Sequence, residues 1–408
     1  MFALSLFVAC SGSPADSNAA ASDSDAPTYY ADVKPTLDRV CMRCHDGEGW
    51  APSFADPAYV QALAPTMKQR IADGTMPPPA PDPSCRAYEG SEALILTDDE
   101  EATIGAWADA GAPLGAEADD HSTPTHVTTA PFDQELWAGA EYTPTFADDG
   151  NDYRCFGLDV ANDEAIYMSG MEAIVGNSRI VHHVVLFTVD DDVEIDMSPE
   201  GFACGGLGED GWNYLTGWAP GATPVTFPVG KAMRLPAHQR LALAMHYFGD
   251  AQTAGETDLS GYGLHLTEAP DYGVIVYPMG DESFTVPAGD AAKEVTMKFT
   301  WDDSYGIFHI MGVWPHMHLL GRAFNFTVGD RKNPDCLVDS SPWDFHNQVP
   351  VPFDDEVVVT GGDRLTLTCT FDNSATSPYQ YNDPPQDVEF GENTTNEMCF
   401  GFTYGWFE

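Results

Sequence analysis

The chain has 408 residues, of which 43% are apolar and 12% aromatic, enough for real cores and, by length, for two to four domains. Its 17 Lys and Arg against 64 Asp and Glu leave a formal net charge of −47, which excludes the basic face of a nucleic-acid binder and argues against charge-driven docking on anionic lipid. The acid excess reads either as a solvated, secreted surface or as a field that steers a cationic substrate or partner.

No run of eighteen apolar residues is present, so no spanning helix is expected. Met1 to Ala9 is a short apolar run that ends at Cys10 and Ser-Gly-Ser. This start resembles a bacterial lipoprotein signal, with Cys10 as the lipid-modified residue; an ordinary export signal and a structural apolar stub remain open. Ser, Ala, Asp and Pro fill residues 11–28, so 1–28 reads as signal plus flexible tether. The expected location is the bacterial periplasm or cell surface, with the membrane reached only through a lipid anchor.

Residues 29–115 carry helical signals. Asp32 to Val40 is amphipathic, Pro57 to Asp73 has helical spacing, and Thr97-Asp-Asp-Glu-Glu starts a helix that runs to Trp107. An Asp-, Thr-, Pro- and His-rich linker occupies 116–130. The texture then turns to short β-rich runs: Ile180–Val189, Arg240–Tyr247, Gly273–Tyr277, Glu294–Trp301, Phe324–Val328, Glu356–Thr360 and Arg364–Phe371. These predict two all-β antiparallel sandwiches, 131–269 and 270–408, divided near Glu268-Ala-Pro-Asp.

Cys41-Met-Arg-Cys44-His45 is a Cys-x-x-Cys-His sequence. Two such thiols add to haem vinyl groups and the adjacent His binds the iron, whereas a bare redox dithiol would need no His. The helical setting and the downstream Gly74-Thr-Met76-Pro-Pro stretch favour covalent haem. That stretch resembles the methionine loop of small c-type cytochromes, with Met76 as second axial ligand and Met67 as core. Residues 29–115 are therefore expected to form a small all-α cytochrome c-like domain. Apart from Cys10, Cys41 and Cys44, six of the nine cysteines remain, which in an exported chain suggests three disulfides.

Of the 12 histidines, several fall in suggestive places. His316-Met-His318 would present both rings on one side of a strand. His182 and His183 are neighbours and would share a metal only if their strand is twisted or bulged there. His246 sits in a buried-looking run, Leu-Ala-Met-His-Tyr-Phe.

From about residue 150 onward the chain resembles the copper type II, ascorbate-dependent monooxygenases, the family of peptidylglycine α-hydroxylating and dopamine β-monooxygenases. The matching motifs follow in order: Val181-His182-His183-Val-Val, Met245-His246-Tyr247, Leu264-His265-Leu266-Thr267, His316-Met-His318-Leu-Leu-Gly321 and Glu397-Met398-Cys399. The resemblance implies one copper on His182, His183 and His246, and a second, catalytic copper on His316, His318 and Met398. Imidazole accepts both copper oxidation states and a thioether favours Cu(I). His265 and His309 match family positions that are not ligands, and read as structural. The resemblance also implies Cys369–Cys399 and Cys155–Cys204 bridges. Leu259 replaces a family cysteine, and Cys85 and Cys336 are left over; they could join the helical domain to the second sandwich.

The amidating members' carboxylate-binding positions hold Trp314, Phe400 and Phe402 here, and Ala244 replaces a polar residue. The implied pocket is aromatic and apolar. The expected function is hydroxylation of a C–H bond of a small aromatic or apolar substrate by O2, with two coppers and one c-type haem. Ascorbate or an equivalent external donor would supply the electrons. The alternative is a haem and copper electron-transfer or copper-binding lipoprotein without hydroxylase activity.

Overall fold

A computed structural model describes residues 26–408 apart from 48, 50, 122–129, 148–149, 206–207, 331 and 392. Cys10, nearly all of the tether and the middle of the 116–130 linker lie outside the described residues. The chain is mostly β, with its α-helices all before residue 110. Among the described residues, no helix is long and apolar enough to cross a membrane.

The first helical run passes through Tyr29–Val33 and Leu37–Cys41 into Met42–His45. Helix Pro57–Ala72 begins on a proline, whose missing N–H would have no partner there, and Asp56 caps it by accepting from the Ala58 N–H. Helix Asp98–Asp109 opens on a capping box: the Thr97 hydroxyl accepts from the Glu100 N–H and the Glu100 carboxylate accepts from the Thr97 N–H at 2.9 Å. Val33, Leu37, Val40, Val60, Ile104 and Trp107 close a small core between these helices, and Met67 packs on it.

Between the second and third helical segments the chain leaves this core. Asp82 N–H donates to Asp339 O at 2.7 Å, Glu89 N–H donates to Pro352 O at 2.9 Å, and Tyr88 bridges to Phe353. Tyr88 and Leu94 are buried in the core of the C-terminal β half. The Cys85–Cys336 disulfide fastens this strap. The other two bridges are Cys155–Cys204 and Cys369–Cys399. Three disulfides fit an oxidising compartment outside the cytosol.

Every predicted β run is a strand, among them Val181–Val189, Arg240–Phe248, Tyr272–Gly280, Gly321–Gly329 and Arg364–Phe371. The strands stack in layers, as sandwiches require. A five-stranded sheet built on Asn151–Asp159, Arg240–Phe248 and Val181–Val189 covers a core containing Phe156, Val184, Leu243 and Tyr262. A four-stranded sheet built on Arg364–Phe371 and Gly321–Gly329 covers one containing Phe308, Val313, Phe324 and Leu367. The two halves are not separate, however. One nine-stranded sheet runs through both, joined where Lys231–Leu235 and Tyr272–Gly280 pair in parallel from Tyr272↔Lys231 to Val274↔Met233. The join satisfies two strand edges that independent sandwiches would leave open.

Cys85 and Cys336 are 251 residues apart, so their bond removes much freedom from the unfolded chain. Replacing both by Ser should lower the unfolding free energy by about 3 kcal/mol, measured by denaturant titration, without shifting the other two bridges.

Candidate functional site

Strands Val181–Val189 and Arg240–Phe248 are neighbours. Simple alternation would send His182 and His183 to opposite faces. The register instead slips: Val181 faces Tyr247 and His183 faces His246, leaving His182 as the extra residue of a bulge. The His182 and His183 Nδ1 atoms are 3.2 Å apart, and those of His183 and His246 are 3.3 Å apart. One nitrogen from each of the three rings falls within 4.8 Å of the others, a geometry that can hold a metal ion. His246 Nε2–H donates to Asn151 Oδ1 at 2.6 Å, which leaves Nδ1 bare toward the cluster. Its ring stacks on Tyr153, with centroids 4.4 Å apart.

His316 and His318 also meet, Nε2 to Nε2 at 3.2 Å. Strand alternation is not the cause, because strand Phe308–His316 ends at His316. The buried Glu397 carboxylate sets the turn beyond it, accepting from the N–H groups of His318 at 3.0 Å, Leu320 at 2.6 Å and Met398 at 3.3 Å. His316 Nδ1–H donates to Gln348 Oε1 at 2.6 Å, and His318 Nδ1–H donates to the Asn396 carbonyl at 3.2 Å. Both Nε2 lone pairs are thereby aimed at each other. Met398 is buried beside Cys399, whose bridge to Cys369 pins the segment.

The two sets open on one cleft. His182, His183 and His316 line it together with Tyr214, Trp218, Trp314, Phe345, His346, Gln348 and Phe402. Tyr214 stacks on Phe402 at 4.1 Å, and Trp314 meets Tyr214 edge-on at 5.8 Å. Phe400 stands behind, 5.8 Å from Phe402. Among the described residues no lysine or arginine lines the cleft. His309 stacks on Trp406 at 3.8 Å, and His265 lies 5.2 Å from Phe132; neither lines the cleft.

Burial dominates the electrostatics. It pushes His182 and His318 down to about 3 and His316 to about 4, and holds His183 and His246 well below the ordinary imidazole value. All five rings are neutral at pH 7, the state a metal requires. Burial also pushes Glu397 up to about 8, against its three amide donors and Arg322.

In the helical unit, Cys41 and Cys44 are unpaired thiols. Burial raises both, Cys41 to about 12. His45 Nδ1–H donates to the Pro52 carbonyl at 2.7 Å and its ring stacks on Phe54 at 4.0 Å, leaving Nε2 bare. Met76 is 38% exposed on the loop after helix Pro57–Ala72. Asn151, Gln348, Phe345 and His346 are site residues that the sequence reading passed over. The only signal for Gln348 was an amide beside the apolar run Val349-Pro-Val351.

Residues 274–407 match the family model of the copper type II ascorbate-dependent monooxygenase C-terminal domain. That segment holds His316, His318 and Met398. No curated protein matches the chain. Among solved structures, a candidate secreted protein from Eubacterium rectale is 10% identical over 67% of this chain and 70% of its own, with a TM-score of 0.20. The VP2 subviral particle of infectious bursal disease virus is 10% identical over 69% and 73%, also with a TM-score of 0.20.

Two predictions follow from these bonds. Glu397→Ala would strand three buried amides, so it should cost about 3 kcal/mol in denaturant titration and disturb His318 and Met398 while sparing His182, His183 and His246. The imidazoles, depressed in the fold, take up protons only on unfolding. Their stabilisation is present above about pH 6.5 and is lost as pH falls. Glu397, raised in the fold, acts oppositely between its unfolded value and about 8, but it is one group against five. The metal-free protein's unfolding midpoint should therefore fall from pH 6.5 to 4.5, and His182→Leu should flatten that slope by about one proton.

Proposed function

We propose that the chain is a copper-dependent monooxygenase that hydroxylates a C–H bond of a small aromatic or apolar substrate, drawing electrons through a covalent c-type haem. One observation carries this reading: two sets of neutral imidazoles meet at an aromatic cleft, lined by the half-buried His182, His183 and His316, with His246 and His318 buried behind them. The family match over residues 274–407 adds to it. The overall change is R–H + O2 + 2 e⁻ + 2 H⁺ → R–OH + H2O.

His182, His183 and His246 fit one copper, and His316, His318 and Met398 a second, since one nitrogen from each of the first three rings converges and His246, His316 and His318 each keep a lone pair directed inward. Copper supplies one-electron redox and dioxygen chemistry, and a haem a one-electron store fed by ascorbate or an equivalent donor. Cys41, Cys44 and the bare His45 Nε2 fit a c-type haem. Met76 would have to turn inward from its exposed position to be the second ligand.

The chain's own residues do the rest. Asn151, Gln348 and the Asn396 carbonyl hold the outer imidazole protons. Tyr214, Trp314 and Phe402 form the apolar wall that receives the substrate body and excludes water, and among the described residues no lysine or arginine lines the cleft to select a carboxylate. In this reading residues 29–115 are the electron-supplying domain and the protein is exported, with Cys10 as its lipid anchor. The absence of a charged substrate anchor in the cleft also suits a second reading, a haem and copper electron carrier without hydroxylase activity.

Purified protein should carry one haem and about two coppers. His246→Ala or His316→Ala should each remove about one copper equivalent, read by metal analysis. Incubation with labelled dioxygen and a panel of aromatic amines, phenols and alkyl compounds should give a product carrying one labelled oxygen. Full copper loading with no labelled product across the panel would favour the electron-carrier reading.

A further inference from the structure

One short loop touches all three candidate redox sites. Phe345 is 5% exposed and stacks on His182 with centroids 5.5 Å apart, and it lies perpendicular to His318 with centroids 6.3 Å apart. Gln348 accepts from His316 and, through its Nε2–H, donates to the Phe345 carbonyl at 2.9 Å. Asn347, between them, turns the other way. Its Oδ1 accepts from Arg43 Nη2 at 2.9 Å, and its Nδ2 donates to Pro79 O at 2.7 Å. Arg43 stands between Cys41 and Cys44, and Pro79 follows Met76 by three residues. Four consecutive residues thus address the Cys-x-x-Cys-His sequence and both imidazole sets.

A second contact runs alongside. Arg43 Nη1 donates to Gly221 O at 3.1 Å. Gly221 sits at φ +83°, and a Cβ there would lie 2.6 Å from Arg43 Nη1 and 3.2 Å from Cys44 Sγ. The preceding Trp218-Ala219-Pro220 lines the cleft. Only glycine lets the thiol-bearing helix approach this closely.

Resting on the haem and copper reading above, we propose that Phe345–Gln348 is the electron junction of the molecule, with Asn347 and Arg43 as its positioning residues. With haem and copper bound, the contact would serve transfer of one electron from iron(II) to copper(II), giving iron(III) and copper(I), with no bond made or broken and no proton moved. Cys85–Cys336 keeps the two parts at high effective concentration, and the Arg43–Asn347 bond selects the facing edge.

The test uses the full chain, matured with haem and loaded with copper(II). The haem is reduced, oxygen is excluded, and its reoxidation is followed by stopped-flow absorbance. Asn347→Leu and Arg43→Met should each slow reoxidation about tenfold or more at unchanged haem and copper content. The double variant should be no slower than the worse single, because both remove one contact. Amide hydrogen exchange of residues 41–46 should quicken in Asn347→Leu, a readout independent of either metal. If the wild type reoxidises and all three variants keep its rate, the junction is wrong and the donor reading stands. If wild-type haem is not reoxidised by copper(II), the donor reading falls and the junction with it.

Discussion

An imidazole taken out of water can bind a cation only if one ring nitrogen is bare and the other has somewhere to put its proton. That requirement governs the cleft. Asn151 lies on the strand beside His246, Gln348 on a loop, and the Asn396 carbonyl just ahead of Met398. Asn151 must therefore be in place for the first imidazole set, and Gln348 and Asn396 for the second. The sheets supply the places. Irregularities, the bulge at His182 and the turn clamped by Glu397, supply the directions.

The same constraint explains why the cleft can be apolar elsewhere. The imidazole protons of His246, His316 and His318 are taken up behind the rings, so the ring faces of Tyr214, Trp314 and Phe402 can line the cleft. Keeping water out strengthens every electrostatic interaction inside, including those with a bound cation.

Much of this was legible from residues alone. The ligand-type residues stood out because Cys-x-x-Cys-His and paired histidines are chemically distinctive. Of the two later helices, one was marked by the spacing of Pro57 to Asp73 and the other by its start at Thr97 with Glu100. Strand runs showed as β-branched and aromatic segments. What stayed hidden was non-local. The pairing of Lys231–Leu235 with Tyr272–Gly280 depends on which edges remain open after folding, and no local pattern records that. Glu397 was visible only as part of a motif, not as a clamp, because a buried carboxylate that accepts three backbone amides leaves no periodic trace. The leftover Cys85 and Cys336 hinted at a link between the helical unit and the second sandwich, but the seat of Tyr88 on Phe353 left no local pattern.

The strap has a consequence for the order in which the molecule is made. Tyr88 and Cys85 emerge from the ribosome long before Phe353 and Cys336, the latter 251 residues later. The helices on either side can close their own small core early, but the stretch between them has no seat until the C-terminal strands exist. Synthesis therefore leaves an apolar tyrosine and leucine and an open thiol waiting outside a finished core, a period in which the nascent chain depends on its surroundings to keep that segment from wrong partners.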